Sequence, residues 1–78
     1  MSTLTHVFSS VLGVPEESIT PETSPQNTPA WDSLNAIILI TEIEHALDLR
    51  FEYSEAMEVK NFADVLKLVA SKGKDPYA

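Results

Sequence analysis

Leu4, Val7, Phe8, Val11 and Leu12 recur at i, i+3, i+4, i+7 and i+8, the stripe of an amphipathic helix. This spacing predicts a first helix over about residues 3–12, ended by Gly13. The period is then lost: over 13–31 Pro15, Pro21, Pro25 and Pro29 stand among Ser, Thr, Asn and Gln, which reads as a long ordered loop. Val14 and Ile19 are its expected pins to the core, and loops of this length in compact domains are usually functional or disordered. The helical period returns over about 33–49, where Ala36, Leu39, Ile40, Ile43, Ala46 and Leu47 gather on one face. Asn35, Thr41, Glu42, Glu44, His45 and Asp48 spread over the rest, yet Leu34, Ile37 and Ile38 also fall on that polar side. Phe51 reads as a core plug, followed by a short helix over about 54–59 with Ser54 as its cap. A last helix over about 62–72 carries the stripe Phe62, Val65, Leu66 and Val69. Asn61 has the chemistry of its N-cap, Asp64 lies in its first turn, and Gly73 and Pro76 stop it. With no internal repeat and no alternation of period two, the expected fold is all-α: a small four-helix bundle of three main helices and one short one.

Length limits this to one domain spanning 1–78, because 78 residues cannot enclose a second core. The chain has no cysteine, so disulfide staples and thiolate zinc sites are excluded and helix packing must supply the stability. Twelve acidic residues against five basic ones give a formal net charge of −7. That balance excludes a phosphate-backbone footprint and with it nucleic acid as a partner. It suits either simple solubility or encounter with basic patches on other proteins. No apolar run approaches the ~18 residues of a membrane span, and no basic leader precedes an apolar stretch, so the chain reads as cytoplasmic.

Catalytic and metal-binding residues are not expected. Glu42 and Glu44 are two apart and so point about 200° from each other, unable to share a proton or an ion. His6, beside the first stripe, and His45, on the polar side of the second helix, are read as surface residues and have no metal-binding companion. Gly13 and Gly73 are the only glycines, which rules out a Gly-rich phosphate loop. Ser33 lacks the flanking glycines of a nucleophile elbow and has no histidine near it in sequence. It does stand at a helix start, where Ser is a common cap. Asp32 can take the cap by accepting the Asn35 backbone N–H, which leaves the Ser33 hydroxyl free at the positive end of the helix. A phosphodiester there would gain about 0.3–1 kcal/mol.

Asp32-Ser33-Leu34 resembles the D-S-L motif of acyl carrier proteins, whose serine receives 4′-phosphopantetheine from coenzyme A. The resemblance extends over nearly the whole chain: Leu12-Gly13-Val14 ending a first amphipathic helix, the loop with Ile19, the D-S-L helix, Phe51, and Val59 and Phe62 before the last helix. It implies a monomeric carrier, not an enzyme, whose Ser33 bears intermediates as thioesters on the arm. Its implied partners are a phosphopantetheinyl transferase, docking on Asp32 and Leu34, and enzymes that load and transfer acyl or aminoacyl groups. It implies a partner-binding face of Leu34, Ile37, Ile38, Thr41 and Glu44, which accounts for the misplaced aliphatics. Fatty-acid carriers usually place acids where this chain has Asn35 and Ile38, and often glycine where it has Ala30. With Trp31 before the motif, the chain is more similar to stand-alone carriers of specialised pathways: polyketide, nonribosomal peptide or polysaccharide-linked. A housekeeping fatty-acid carrier, or an acidic interaction module with Ser33 purely structural, are the alternatives. The loop over 13–31 either covers Leu34 and Ile37 or leaves them to partners, and Trp31 either anchors that loop or meets a partner.

Overall fold

Four α-helices and no strand make up a computed structural model of the chain, which describes residues 3–77. Residues 1, 2 and 78 of the expected single unit lie outside that range. Helix α1 (Thr3–Leu12) buries Leu4, Val7, Phe8 and Leu12. Gly13 ends it at φ 69°, its N–H donating to the Ser9 carbonyl at 2.9 Å. This left-handed turn costs glycine nothing and most other residues about 1–2 kcal/mol.

Helix α2 (Ser33–Leu47) buries Leu39 and Ile43, with Ala36 and Leu47 packed partly against the core. Ala46, expected on this face, is exposed, because the buried strip is narrower than the apolar pattern and runs through Leu39 and Ile43. The helix stops two residues before the expected Leu49. Asp48 takes the left-handed conformation at φ 53°, which acidic and amide side chains tolerate better than most, and the Leu49 N–H turns back to the Glu44 carbonyl.

Helix α3 (Tyr53–Met57) starts one residue earlier than expected and ends two earlier. Ser54 lies inside it, and the cap position belongs to Glu52, whose N–H donates to Glu55 Oε1 at 2.7 Å. The reciprocal Glu52 and Glu55 contacts form a capping box, which closes the first turn two residues before Ser54. The Glu52 N–H and then the Lys72 ammonium hold the Glu55 carboxyl below its ordinary pKa of 4.5. Helix α4 (Phe62–Ser71) ends one residue short of the expected 72. Asn61 Oδ1 caps it by accepting the Asp64 N–H at 2.8 Å, and Gly73 turns the chain at φ 83°.

The core is an aromatic cluster inside aliphatic walls. Phe8 is fully buried and meets Trp31 and Phe62 edge to face, with ring centroids 5.2 and 4.8 Å apart. Edge-to-face pairs add about 0.5–1.5 kcal/mol each beyond burial. Val14, Ile19 and Phe51 pack partly against this cluster. The long loop is ordered by its own bonds and contains a 3-10 turn at Glu16–Ser18. Thr23 is buried, its Oγ1 accepting the Thr20 N–H, while the Pro21 and Thr23 carbonyls accept the N–H groups of Ala63 and Phe62. Two of the unpaired donors at the start of α4 are thereby satisfied by the loop.

Candidate functional site

The loop delivers the chain to α2 through Trp31. This side chain is 5 % exposed and packed edge to face with Phe8, so it anchors the loop. The next residue, Asp32, is extended (φ −103°, ψ −174°) and accepts the Asn35 N–H on Oδ1 at 2.9 Å. The Asn35 side chain in turn donates to the Ala30 carbonyl at 2.7 Å. Asp32 and Asn35 thus staple the loop to the first turn of α2, and Ser33 between them is left without a task. Its side chain is exposed, and no hydrogen bond among the described residues engages its hydroxyl. A purely structural part for Ser33 has no contact to rest on.

The electrostatics of this corner favour an anion. Ser33 is the first residue of a fifteen-residue helix whose first turn holds no acidic side chain, so the unpaired N–H groups and the positive end of the dipole are not neutralised from within. The Asp32 carboxylate is the nearest negative group in sequence, and one of its oxygens is committed to the cap.

Leu34 and Ile37 are 68 and 66 % exposed, so the loop does not fold over them. Ile38 is 39 % exposed and sits at the edge of the same patch. Thr41 is exposed, but its hydroxyl donates to the Ile37 carbonyl within the helix, which turns an apparently polar residue into a methyl-bearing one at the surface. Glu44 departs from the expected face. It is half-buried, and its Oε2 accepts the Phe51 N–H at 2.8 Å, fastening the turn after α2.

A family model described as "Phosphopantetheine attachment site" matches residues 2–69 of this chain. The chain belongs to the phosphopantetheine-binding carrier protein family. This carrier is similar to a holo acyl carrier protein from Geobacter metallireducens solved by solution NMR, with 34 % identity and a TM-score of 0.75. The match covers 88 % of this carrier and 79 % of that chain. The carrier's cofactor is therefore covalently held 4′-phosphopantetheine, its dealings are with transferases and acyl-handling enzymes, and it holds cargo without catalysing its conversion. The exposed hydroxyl at the start of α2 would fit such a group, since a phosphodiester there would lie at the positive end of the helix and would break no hydrogen bond among the described residues. Among the described residues no group of side chains is suited to a metal ion, and no helix is long and apolar enough to cross a membrane.

His6 and His45 are both exposed; His6 Nδ1 lies 3.4 Å from Glu16 Oε2. Tyr53 and Met57 on α3 are 80 and 64 % exposed, large apolar groups that the sequence reading left unassigned. The capping box of α3 was legible as Glu52 and Glu55 three apart, the N-cap and N3 spacing. Burial of Thr23 was not, since nothing in a Pro- and Thr-rich run singles out the one threonine that packs.

Proposed function

We propose that Ser33 is the residue to which the phosphopantetheine arm is joined, and that the chain is a discrete carrier passing thioester-bound acyl or aminoacyl groups between separate enzymes. The observation that supports this most is the division of labour at the start of α2: Asp32 does the capping, which leaves the Ser33 hydroxyl exposed and unbonded. The Ser33 Oγ forms a phosphodiester with the phosphate of the arm and displaces the nucleotide part of coenzyme A, its proton passing to a base of the transferase. The arm, once bound, supplies a thiol that holds cargo as a thioester. The chain itself orients the arm, through the rigid α2 start that Asp32 and Asn35 staple to the loop.

Asp32, with a carboxylate oxygen left over from its cap, and Leu34 are the proposed contacts for the transferase. Leu34, Ile37, Ile38 and the Thr41 methyl form the proposed face for other partner enzymes, with Glu44 half-buried at its border and one carboxylate oxygen held by the Phe51 N–H. Asn35 and Ile38 stand where fatty-acid carriers usually have acids, and Asn35 is spent on Ala30, so docking is proposed to be more apolar and less salt-sensitive. A specialised biosynthetic pathway accords with that face. The same reading makes the carrier a cytoplasmic monomer, in keeping with its net charge of −7.

Intact mass after incubation with coenzyme A, magnesium and a permissive phosphopantetheinyl transferase tests the reading. One added phosphopantetheine is expected, mapped by peptide analysis to Ser33. A folded protein that stays unmodified, or carries the group elsewhere, overturns it. Ile37→Glu probes the face. Its side chain is 66 % exposed, so the melting temperature should hold within the equivalent of about 0.5 kcal/mol, while acyl loading by a partner enzyme weakens. Equal loading of the variant and wild type would remove Ile37 from the interface.

A further inference from the structure

The loop between α1 and α2 contains a repeat that the apolar pattern does not reveal. Thr20-Pro21-Glu22-Thr23, Ser24-Pro25-Gln26-Asn27 and Thr28-Pro29-Ala30-Trp31 each place a hydroxyl residue first and a proline second, so the expectation of no internal repeat fails over this stretch. Each tetrapeptide is one turn: the N–H groups of Thr23, Asn27 and Trp31 donate to the carbonyls of Thr20, Ser24 and Thr28 at 2.9, 3.2 and 2.9 Å. Proline suits the second place because its ring holds φ at about −65°, as that place requires. The first two turns are also closed in reverse, the Thr20 N–H donating to Thr23 Oγ1 at 2.9 Å and the Ser24 N–H to Asn27 Oδ1 at 3.0 Å. Trp31 fills the fourth place of the third turn and has no side-chain acceptor to offer, so that turn needs a tie from elsewhere.

Asn27 supplies it. Its Oδ1 accepts the Thr28 hydroxyl at 2.8 Å, which joins the second turn to the third, and its Nδ2 donates to the Glu22 carbonyl at 2.8 Å, which joins the second to the first. The outer turns are fixed at their far ends. The first is held to the start of α4, where the Pro21 and Thr23 carbonyls accept the N–H groups of Ala63 and Phe62. The third is held to the start of α2, where the Ala30 carbonyl accepts both the Asp32 N–H at 3.0 Å and the Asn35 side-chain amide at 2.7 Å. The three turns therefore form a strut from the first turn of α4 to the first turn of α2. Among the described residues, the exposed Asn27 is the one side chain that links turn to turn along it.

We infer that Asn27 is a positioning residue for attachment of the arm: by joining the three turns it fixes the Ala30 carbonyl, and through Asn35 the first turn of α2, in the orientation that presents Ser33 to the transferase. This rests on the reading of Ser33 as the attachment residue. Buried Trp31 holds one end of the third turn and the Asn27–Thr28 bond holds the other; a turn held at one end only can swing, and Ser33 would swing with it. Small displacements of a reacting hydroxyl are costly because the attack on phosphorus requires alignment. Three variants of the full chain test the strut. Asn27→Ala removes all the side-chain bonds of Asn27, Thr28→Val removes only the hydroxyl that links the second and third turns, and Asn27→Asp keeps an acceptor for that hydroxyl.

Single-turnover loading by excess permissive phosphopantetheinyl transferase, with coenzyme A and magnesium, separates the maximal rate from the transferase concentration at half-saturation. Asn27→Ala and Thr28→Val should lower the maximal rate about three- to tenfold, short of the ~100-fold that a full ångström of misplacement costs, and leave the half-saturating concentration unchanged. Asn27→Asp should load at a rate nearer wild type. All three should melt within a few degrees of wild type, as substitutions on a surface loop do. Equal maximal rates in Asn27→Ala and wild type overturn the inference and leave Ser33 standing. A raised half-saturating concentration at unchanged maximal rate also overturns it, since the loop would then be a docking contact. If Asn27→Ala melts far lower, Thr28→Val decides, because it spares the second turn: a wild-type maximal rate in that variant overturns the strut. A wild type that stays unloaded, or is loaded at another residue, overturns the reading at Ser33 and this inference with it.

Discussion

Ser33→Ala is expected to abolish phosphopantetheine loading completely and to leave the fold intact. Most serines at a helix start are caps, and their removal costs about 1 kcal/mol. Here that role belongs to Asp32, whose Oδ1 holds the Asn35 N–H at 2.9 Å. The Ser33 hydroxyl makes no hydrogen bond among the described residues, and alanine is the better helix former, so stability should change by no more than about 0.5 kcal/mol. Asp32→Ala is the informative contrast, because it should lose about 1 kcal/mol and load more slowly. Chemical denaturation and intact mass, measured on the same two samples, separate the roles. Loading of Ser33→Ala at any other residue would show that the arm is joined elsewhere. A loss from Ser33→Ala as large as that from Asp32→Ala would mean that the cap has been assigned to the wrong side chain.

Phe8→Ala is expected to be the most damaging change in the chain. The ring is 0 % exposed and is the hub of the aromatic cluster, edge to face with both Trp31 and Phe62. Truncating a buried Phe to Ala costs about 3–5 kcal/mol, more where the surroundings cannot collapse into the gap. Collapse is hindered here, since Phe8 already borders the cavity between α2 and α3. A domain of this size has only about 4–12 kcal/mol in total, at ~0.05–0.15 per residue, so the variant should sit near its unfolding midpoint at 37 °C. Circular dichroism on heating, with Trp31 emission as a second probe, reads the result. A melting temperature within a few degrees of wild type would show that the core is not organised around Phe8.

The two variants also mark where the sequence was readable and where it was not. The stripe of α1 was read correctly because Leu4, Val7, Phe8 and Leu12 are all buried in one core, with Val11 packed partly against it, so local period and tertiary burial agree. In α2 they part company. Ala46 fits the core stripe by angle yet is exposed, while Leu34 and Ile37, off the stripe, are left uncovered by a loop that might equally have lain across them. Angle on a helix says which residues share a face and nothing about how far along that face a neighbour reaches. The Asp32 and Asn61 caps were readable because capping is completed within three residues, from side chain to N–H.

By itself, then, the sequence determined the helical character, the caps of α2 and α4, the glycine stops and the candidate Ser33, since each depends on residues within about one turn of one another. Tertiary structure alone decided what crosses between elements: the loop carbonyls of Pro21 and Thr23 closing the start of α4, Glu44 turned inward to Phe51, and Lys72 reaching Glu55. These contacts span from seven to forty-two residues of chain, too far for any local propensity to specify, and they depend on the core around Phe8, which brings α1, the loop, α2 and α4 together.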